Sequence, residues 1–298
     1  MTKEIITSRF SEIQSSICLQ LEKFDTVSSF SIEPWTHHSG GGGKTRVIEN
    51  GSIIEKGGVN FSAVQGELPE KIKKALNCTE SGFFATGVSI VLHPQNPFHP
   101  IIHMNIRYFE LANGEYWFGG GIDLTPIYVD ENEAKFFHSK LKETCDSFDT
   151  GFYPEFKTWA DNYFYISHRK ETRGIGGIFF DRLNETKRTH SKELLLDFVC
   201  AVGNTFAPTY LEILARKGKK IPFTSDNKSW QYLRRGRYVE FNLVYDKGTK
   251  FGLDTEGRIE SILMSMPPQA NWTYNHTPLA NSLEEKTCTL LKKGITWI

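Results

Sequence analysis

The stretch that decides the fold is "IIHMNIRYFELANGEYWFGGGIDLTPIY", residues 101–128. Two runs rich in β-branched and aromatic residues flank Asn113-Gly114, a dipeptide typical of a tight hairpin turn. The same arrangement occurs in "TRVIENGSIIEKGGVNFSAVQ", residues 45–65, around Asn50-Gly51. Because hairpins join antiparallel strands, whereas parallel strands need long crossovers, the sheet is predicted to be antiparallel.

Amphipathic stretches surround these hairpins. Apolar residues recur at three- and four-residue steps over residues 3–30, which predicts a long N-terminal helix. Further helices are predicted over 130–148 and 191–219 and, beginning at a proline, over 69–76. Residues 237–253 and 258–268 are predicted to form further β-strands. We therefore expect an α+β fold, a single domain over residues 1–298 with a large antiparallel sheet flanked by helices on both faces.

The amino-acid composition argues against several classes of protein, namely nucleic-acid-binding, membrane-associated and disulfide-rich secreted proteins. Lys+Arg and Asp+Glu are equal at 35 each, so bulk charge does not favour a nucleic-acid or membrane-surface partner. No apolar run approaches the length of a membrane span, and no signal-peptide pattern is seen at the start. The five cysteines are odd in number and lack a C-x-x-C pair, which is typical of reduced thiols. A cytoplasmic protein is expected.

The glycine-rich stretch "HHSGGGGKTRV", residues 37–47, resembles a phosphate-binding loop at first sight. The pattern G-x-x-x-x-G-K-[ST] fails, because His38 stands where the first glycine is required. The preceding "SFSIEPW" is also a weak strand. A backbone nest for an oxyanion, or a flexible lid or turn, remain the alternatives.

Chemistry-bearing residues alternate along the first strand of the hairpin. His103, Asn105 and Arg107 would share one polar face. A two-residue turn at Asn113-Gly114 would place Asp123 on the wrong face. A bulge within Gly119–Gly121 would turn it towards Arg107. This bulge is a hypothesis that a regular ladder would contradict.

Histidines and arginines are scattered along the chain. His93, His103, His138 and His168 lie in separate elements without metal-ligand spacing, so spacing alone does not indicate a metal site. Several arginines lie beside glycines or at the ends of elements, and converging guanidiniums would suit a polyanion. These arginines are Arg46, Arg107, Arg169, Arg173 and Arg258.

Taken together, the motifs resemble one family. They are "GGGGKTRV", "EKGGVNFS", "GVSIVLHPQNP", "HMNIRYFE", "YWFGGGIDLTPIY", "HRKETRGIGGIFFD", "RGRYVEFNLVYDKGTKFGL" and "ESILMSMPP". In this order they are similar to the oxygen-dependent coproporphyrinogen III oxidases, over nearly the whole chain. The resemblance implies oxidative decarboxylation of two propionates, on rings A and B, which converts coproporphyrinogen III to protoporphyrinogen IX in haem biosynthesis.

The resemblance also implies the cofactors and the assembly. Dioxygen is the co-substrate, and no flavin, haem or nicotinamide takes part. A metal-free reaction is favoured, with a divalent metal on His93, His103, His138 and His168 as the alternative. A homodimer is expected through the segment Tyr238–Thr273. The glycine-rich stretch would be a substrate-side loop or lid, with Lys44 and Arg46 facing propionates.

Family roles carry over to named positions. His103 matches the general acid, and Asp123 a carboxylate that engages the pyrrole N–H groups. Arg107 would hold the reacting carboxylate. The predicted substrate contacts are Ser89, Asn105, Ile106, Arg107, Glu256, Gly257 and Arg258.

Three other classes remain open at this stage. A nucleotide-dependent enzyme would rest on "GGGGKT". A non-catalytic tetrapyrrole carrier would need the pocket but neither His103 nor Asp123. A mononuclear histidine–metal oxidase would need a metal.

Overall fold

Seven antiparallel strands form the central sheet of the protein, which is described here by a computed structural model. The described residues are 1–68, 70, 73–74, 79–186, 189–254 and 258–298, so most of the helix predicted over 69–76 lies outside them. The strands are β1 (Ser31–Thr36), β2 (Gly41–Glu49), β3 (Ile54–Glu67), β4 (Gly82–Pro94), β5 (Ile101–Leu111), β6 (Tyr116–Thr125), β7 (Tyr165–Ile166), β8 (Glu171–Thr172) and β9 (Gly177–Leu183). The described helices are α1 (Lys3–Asp25), α2 (Glu131–Asp146), α3 (Phe152–Tyr163), α4 (Lys192–Lys217), α5 (Ser225–Val244), α6 (Lys247–Asp254), α7 (Ile259–Leu263) and α8 (Leu283–Leu290).

The first six strands follow one another as hairpins, in the order β1-β2-β3-β4-β5-β6, and β9 closes the sheet beside β6. The chain leaves the sheet after β6 to form α2, α3 and the small β7–β8 hairpin. The predicted α+β fold with a large antiparallel sheet is confirmed.

The hairpin from β5 to β6 differs from the prediction in one detail. Leu111 and Glu115 close a three-residue loop over 112–114, so Glu110 lies opposite Tyr116. The β5–β6 ladder then runs regularly through the glycines and places Asp123 directly opposite His103. The bulge hypothesis is therefore wrong for this ladder. Asp123 reaches the polar face because the loop has three residues, not two.

One face of the sheet is apolar. Ile102, Met104, Ile106 and Tyr108 of β5 are completely buried there. Helix α1 packs on β3 and β4, and α4 packs on β5 and β6. By length and composition α4 is apolar enough to cross a membrane, but most of its apolar stretch is buried within the protein.

Helices also cover part of the opposite face. Asn60 of β3 donates a hydrogen bond to the Ser261 carbonyl of α7 (2.7 Å), and Arg173 donates to Asn242 Oδ1 of α5 (2.8 Å). Residues 237–253 and 258–268 were predicted as strands, and that prediction is wrong. Helix α5 begins at a capping box formed by Thr224 and Asn227, which fixes its first turn. Its aromatic residues contact the sheet from a helix rather than extending it.

The glycine-rich stretch is part of the sheet. Gly41–Glu49 forms strand β2, paired with β1 on one side and β3 on the other. A Cβ on Gly43 would lie 2.2 Å from the Phe61 carbonyl oxygen and 2.5 Å from the Trp35 ring, so the strand needs glycine to pack closely. The predicted lid is therefore wrong. The glycines allow neighbouring backbones and an indole ring to approach.

Candidate active site

The strand registers line up one polar face across the whole sheet. Directly opposed residues of neighbouring antiparallel strands lie on the same side of the sheet. One row across the strands contains Glu33, Thr45, Asn60, Ser89, Asn105, Gly121 and Phe179. The row on one side contains His103 and Asp123, and the row on the other contains Arg107 and Gly119. We call this surface the polar face.

His103 and Asp123 form a hydrogen-bonded pair on the polar face. His103 Nδ1 lies 2.8 Å from Asp123 Oδ1. The side chain of His103 is 20% exposed, whereas that of Asp123 is 1% exposed. Because an ionised carboxylate only accepts hydrogen bonds, the Nδ1 proton is held on the histidine and Nε2 is left for another partner.

Arg173 holds the carboxylate from the other side. Its Nη2 donates to Asp123 Oδ1 (2.6 Å) and its Nε donates to Oδ2 (3.1 Å), a bidentate pair. Burial alone would raise the pKa of Asp123. The Arg173 cation and the His103 hydrogen bond outweigh burial and hold that pKa below its usual range. Asp123 is therefore an anion at neutral pH.

Aromatic rings enclose the Arg173 guanidinium. Its Cζ lies 4.5 Å from the ring centre of Phe164, 4.6 Å from that of Phe241 and 4.7 Å from that of Tyr238. These rings replace water around the cation and favour a single orientation of it. Arg173 is one of the arginines that lie beside glycines in the sequence, where no separate role is predicted for it. The neighbouring glycines in "TRGIGG" were a signal that this arginine has a role. The sequence did not indicate which side chain it would pair with.

The loop that carries Arg173 is held by the C-terminal segment. The Thr172 backbone N–H donates to the Leu291 carbonyl (2.9 Å). The Trp297 indole N–H donates to the Ile175 carbonyl (3.1 Å), and His138 Nε2 lies 3.0 Å from the same oxygen. Residues far apart in sequence therefore fix the backbone on both sides of Arg173.

The predicted contact of Asp123 with pyrrole N–H groups stays a prediction, and the structure shows what the carboxylate binds within the protein. Both carboxylate oxygens are engaged by Arg173, one of them also by His103, and the group is almost completely buried. Asp123 therefore orients the His103 imidazole, the arrangement found in other Asp–His pairs.

Arg107 lies in the row beyond that of Asn105 and has a different partner. Its Nη2 donates to Asp181 Oδ1 (2.9 Å) and its Nη1 donates to Asn105 Oδ1 (3.3 Å). The structure therefore brings Arg107 to Asp181. The bulge hypothesis, which turned Asp123 towards Arg107, is wrong on this point.

The remaining predicted contacts divide between the two faces. Ser89 lies on the polar face between Asn60 and Asn105. Arg258 also lies over it, since its Nη1 donates to Thr45 Oγ1 (3.1 Å) and its guanidinium pairs with Glu33. Glu256 and Gly257 lie outside the described residues.

Three residues with a predicted role towards substrate have side chains on the face opposite to the polar face. Ile106 is completely buried against α4, where its Cδ1 approaches Gly203, so its side chain does not line the polar face. Lys44 and Arg46 alternate with Thr45 and point to the α1 side, where Arg46 donates to Ser15 Oγ (3.2 Å). The prediction that Lys44 and Arg46 face propionates is therefore wrong.

An aromatic wall, which was not predicted from the sequence, borders the polar face at β9. The Tyr163 ring stacks on Phe179 with centres 4.0 Å apart, and Trp159 meets Phe179 edge-on at 5.4 Å. The signal was present, because Trp159 and Tyr163 are four residues apart on one side of α3. Such a wall suits a large flat ligand.

The four candidate metal ligands lie in separate surroundings. His93 Nε2 is 2.8 Å from the Ser265 carbonyl oxygen, and burial, then the nearby Arg235 cation, lowers the pKa of His93 to about 3. Both ring nitrogens of His138 bond oxygen atoms, those of Tyr153 and Ile175. Both nitrogens of His168 likewise bond oxygens, those of Tyr245 and Glu240.

These contacts decide the fit of a metal. Within the part of the chain that is described, no three His, Cys, Asp or Glu side chains are grouped as metal ligands. The residues present therefore do not fit a metal shared by the four histidines. Two small surface depressions, about 170 Å³ beside Arg9 and about 270 Å³ beside Tyr165, have none of the four histidines in their lining.

Comparison with known proteins gives a consistent result. The sequence profile described as "Coproporphyrinogen III oxidase" matches residues 5–297. The chain is 47% identical to the chloroplastic oxygen-dependent coproporphyrinogen-III oxidase of Nicotiana tabacum, over 96% of this chain and 75% of that one. It is 46% identical to the mitochondrial enzyme of Homo sapiens, over 96% of this chain and 65% of that one. The Drosophila melanogaster enzyme is also 46% identical, over 96% and 76%. The chain therefore belongs to the coproporphyrinogen III oxidase family.

Proposed function

We propose that this protein is an oxygen-dependent coproporphyrinogen III oxidase, which converts coproporphyrinogen III to protoporphyrinogen IX in haem biosynthesis. The observation that carries this proposal is the polar face, on which His103, supported by Asp123, and the accessible Arg107 lie on either side of the Asn105 row, in a chain of this family. For each of two propionates, –CH2–CH2–COO⁻, O2 and H⁺ give –CH=CH2, CO2 and H2O2.

The residues of the polar face divide the work. Arg107 and Arg258 carry the positive charge that propionates need, with Ser89 and Asn105 as polar contacts. Phe179 and Tyr163 supply an apolar border for the macrocycle. His103 gives or takes a proton through Nε2, because Asp123 holds the proton on Nδ1. The negative charge of Asp123 also stabilises the protonated imidazole when it forms.

We infer that no organic cofactor takes part and that a metal is not required. The support for a reaction without metal is the separation of the four histidines, two of which have both nitrogens engaged by oxygens. No step is assigned to a metal.

We also infer a homodimer formed through Tyr238–Thr273. That segment exposes several large apolar side chains, which a partner would cover. They are Leu243, Val244, Leu253, Ile259 and Trp272, each at least 45% exposed. Sedimentation equilibrium should give twice the chain mass, and Ile259→Glu should shift the protein towards the monomer. A monomeric wild-type protein would contradict this.

The cellular location is a separate inference. The Nicotiana tabacum relative is chloroplastic and the Homo sapiens relative is mitochondrial. We propose a cytoplasmic location for this protein, which is supported by the free thiols at Cys18, Cys145, Cys200 and Cys288. Fractionation of the source cells tests it, and recovery from an organelle or a membrane would contradict it.

The decisive experiment for the function is a turnover assay. Purified, EDTA-treated protein is incubated with coproporphyrinogen III, with and without air, and the products are oxidised and separated by chromatography. We expect protoporphyrin only in air. Activity that returns only after a metal is added would contradict the metal-free mechanism. Tight binding without product would indicate a tetrapyrrole carrier.

A further inference from the structure

The ion pair between Arg107 and Asp181 is accessible from the polar face. The two side chains are 36% and 31% exposed, and they meet through one contact of 2.9 Å between Nη2 and Oδ1. A partly exposed ion pair held by one contact is weak and is readily exchanged for another partner. A carboxylate brought by a ligand is such a partner.

The sequence makes room for this pair at Gly119. A Cβ on Gly119 would lie 2.6 Å from Asp181 Oδ1, 2.7 Å from Arg107 Nε and 3.0 Å from Arg107 Nη2. Arg107 and Asp181 come from β5 and β9, the two strands on either side of β6. Their side chains therefore meet over β6 because the residue between them has no side chain.

We propose that Asp181 is a specificity-determining residue that competes with a substrate propionate for Arg107. This inference rests on the function proposed above and adds to it. Asp181 neutralises Arg107 when the subsite is empty. An arriving propionate displaces Asp181 from the guanidinium, which Asn105 continues to hold from the other side.

The competition acts again after the reaction. The propionate is an anion, but the vinyl group that replaces it is neutral, since the carboxylate has left as CO2. Arg107 then has no anion from the ligand and pairs with Asp181 once more. The converted side chain is released from the subsite, and a second propionate of the same macrocycle can enter. Asp181 thus has two effects. It lowers the affinity of the subsite for propionate, and it pairs with Arg107 again when the neutral vinyl group is released.

The test is Asp181→Asn, which keeps the shape and removes the charge. We expect a KM for coproporphyrinogen III roughly two- to fivefold lower than that of the wild type, the range for a partly exposed ion pair. Sodium propionate, added as a competing ion, should inhibit at concentrations lower by a similar factor. Asp181→Glu retains the charge and should reverse both shifts relative to Asp181→Asn.

Asp197→Asn is the matched control, since it removes one carboxylate from an exposed pair with Arg9 between α1 and α4. It should change neither value. Asp181→Ser removes the same charge with less bulk and should reproduce both shifts if the asparagine variant folds poorly. An unchanged or raised KM in a folded, active, charge-removed variant overturns the proposal. A wild-type protein that makes no protoporphyrin in air contradicts the function itself.

Discussion

Two arginine–carboxylate pairs stand on the same face of one sheet, and they differ in almost every physical respect. Arg173 and Asp123 are 2% and 1% exposed and are joined by two hydrogen bonds. Arg107 and Asp181 are about one-third exposed and are joined by one. The buried pair is enclosed by aromatic rings, whereas the accessible pair lies over a bare glycine.

The difference shows that arginine–carboxylate pairs can serve two purposes, which are to orient a neighbouring side chain and to bind an exchangeable anion. A buried pair whose remaining donors are satisfied is costly to break, so it fixes the orientation of the histidine it supports. An accessible pair contributes little to stability and can exchange partners. The polar face thus combines a fixed proton-handling group with an exchangeable anion-binding group.

Breaking the buried pair at Asp123 should have the largest effect. Asp123→Asn removes the charge that holds the Nδ1 proton and stabilises imidazolium, so kcat should fall by about a thousandfold or more, as in other Asp–His pairs. Because Asp123 is almost completely buried, anaerobic binding of coproporphyrinogen should change little. Steady-state turnover and anaerobic equilibrium dialysis measure the two. Equal losses in turnover and binding would show that Asp123 contacts the substrate directly.

Arg173→Met breaks the same pair from its other end and should mainly affect stability. It leaves a buried carboxylate without its cation, which should cost about 3–5 kcal/mol in the free energy of unfolding. Urea titration followed by circular dichroism measures this. A loss below about 1 kcal/mol would contradict the role given to the pair.

The decrease in the free energy of unfolding caused by Arg173→Met should depend on pH, which tests the buried pair further. In the wild type the pKa of Asp123 is depressed, so its stabilisation is complete above the ordinary aspartate pKa of about 4 and is lost as pH falls through the lower folded value. In Arg173→Met, burial is no longer offset and protonation relieves the unpaired charge. The deficit of the variant relative to the wild type should therefore be smaller near pH 4 than near pH 7. A constant deficit would contradict this.

Gly119→Ala tests the accessible pair by steric means and should have a smaller effect. The new methyl group would force Arg107 and Asp181 apart, so kcat/KM should fall by about tenfold through misplacement of Arg107. Gly82→Ala in β4 is the control, because its Cβ would meet Ala112 at an ordinary 3.4 Å. Wild-type kinetics for Gly119→Ala would show that the two side chains do not meet over β6.

The smallest effect is expected at Lys44, a cation on the opposite face. Lys44→Gln should leave KM within about twofold of the wild type, as for most exposed surface substitutions. Arg258→Gln, on the polar face, should raise KM several-fold. A large change for Lys44→Gln would mean that this side chain reaches the substrate around the edge of the sheet.

Alternation along a strand was enough to predict half of the site. His103, Asn105 and Arg107 share a face because the side-chain period of a strand is two, whatever packs against it. The side of Asp123 depended on one residue of loop length, which the Asn113-Gly114 signal did not resolve. Arg173 and Asp181 could not be assigned partners, since their contacts cross from separate elements. The strand prediction for 237–253 failed because aromatic and β-branched residues also occur in buried helices.

The contacts of Leu291 and Trp297 with the Arg173 loop have a consequence for biosynthesis. His103 and Asp123 leave the ribosome well before Leu291 and Trp297, whose carbonyl and indole hold the loop. A nascent chain can therefore form the sheet long before it can orient its histidine. Chains truncated after Leu290 should fold their hairpins yet remain inactive, so that only polypeptides that extend through Trp297 begin to consume dioxygen and produce peroxide.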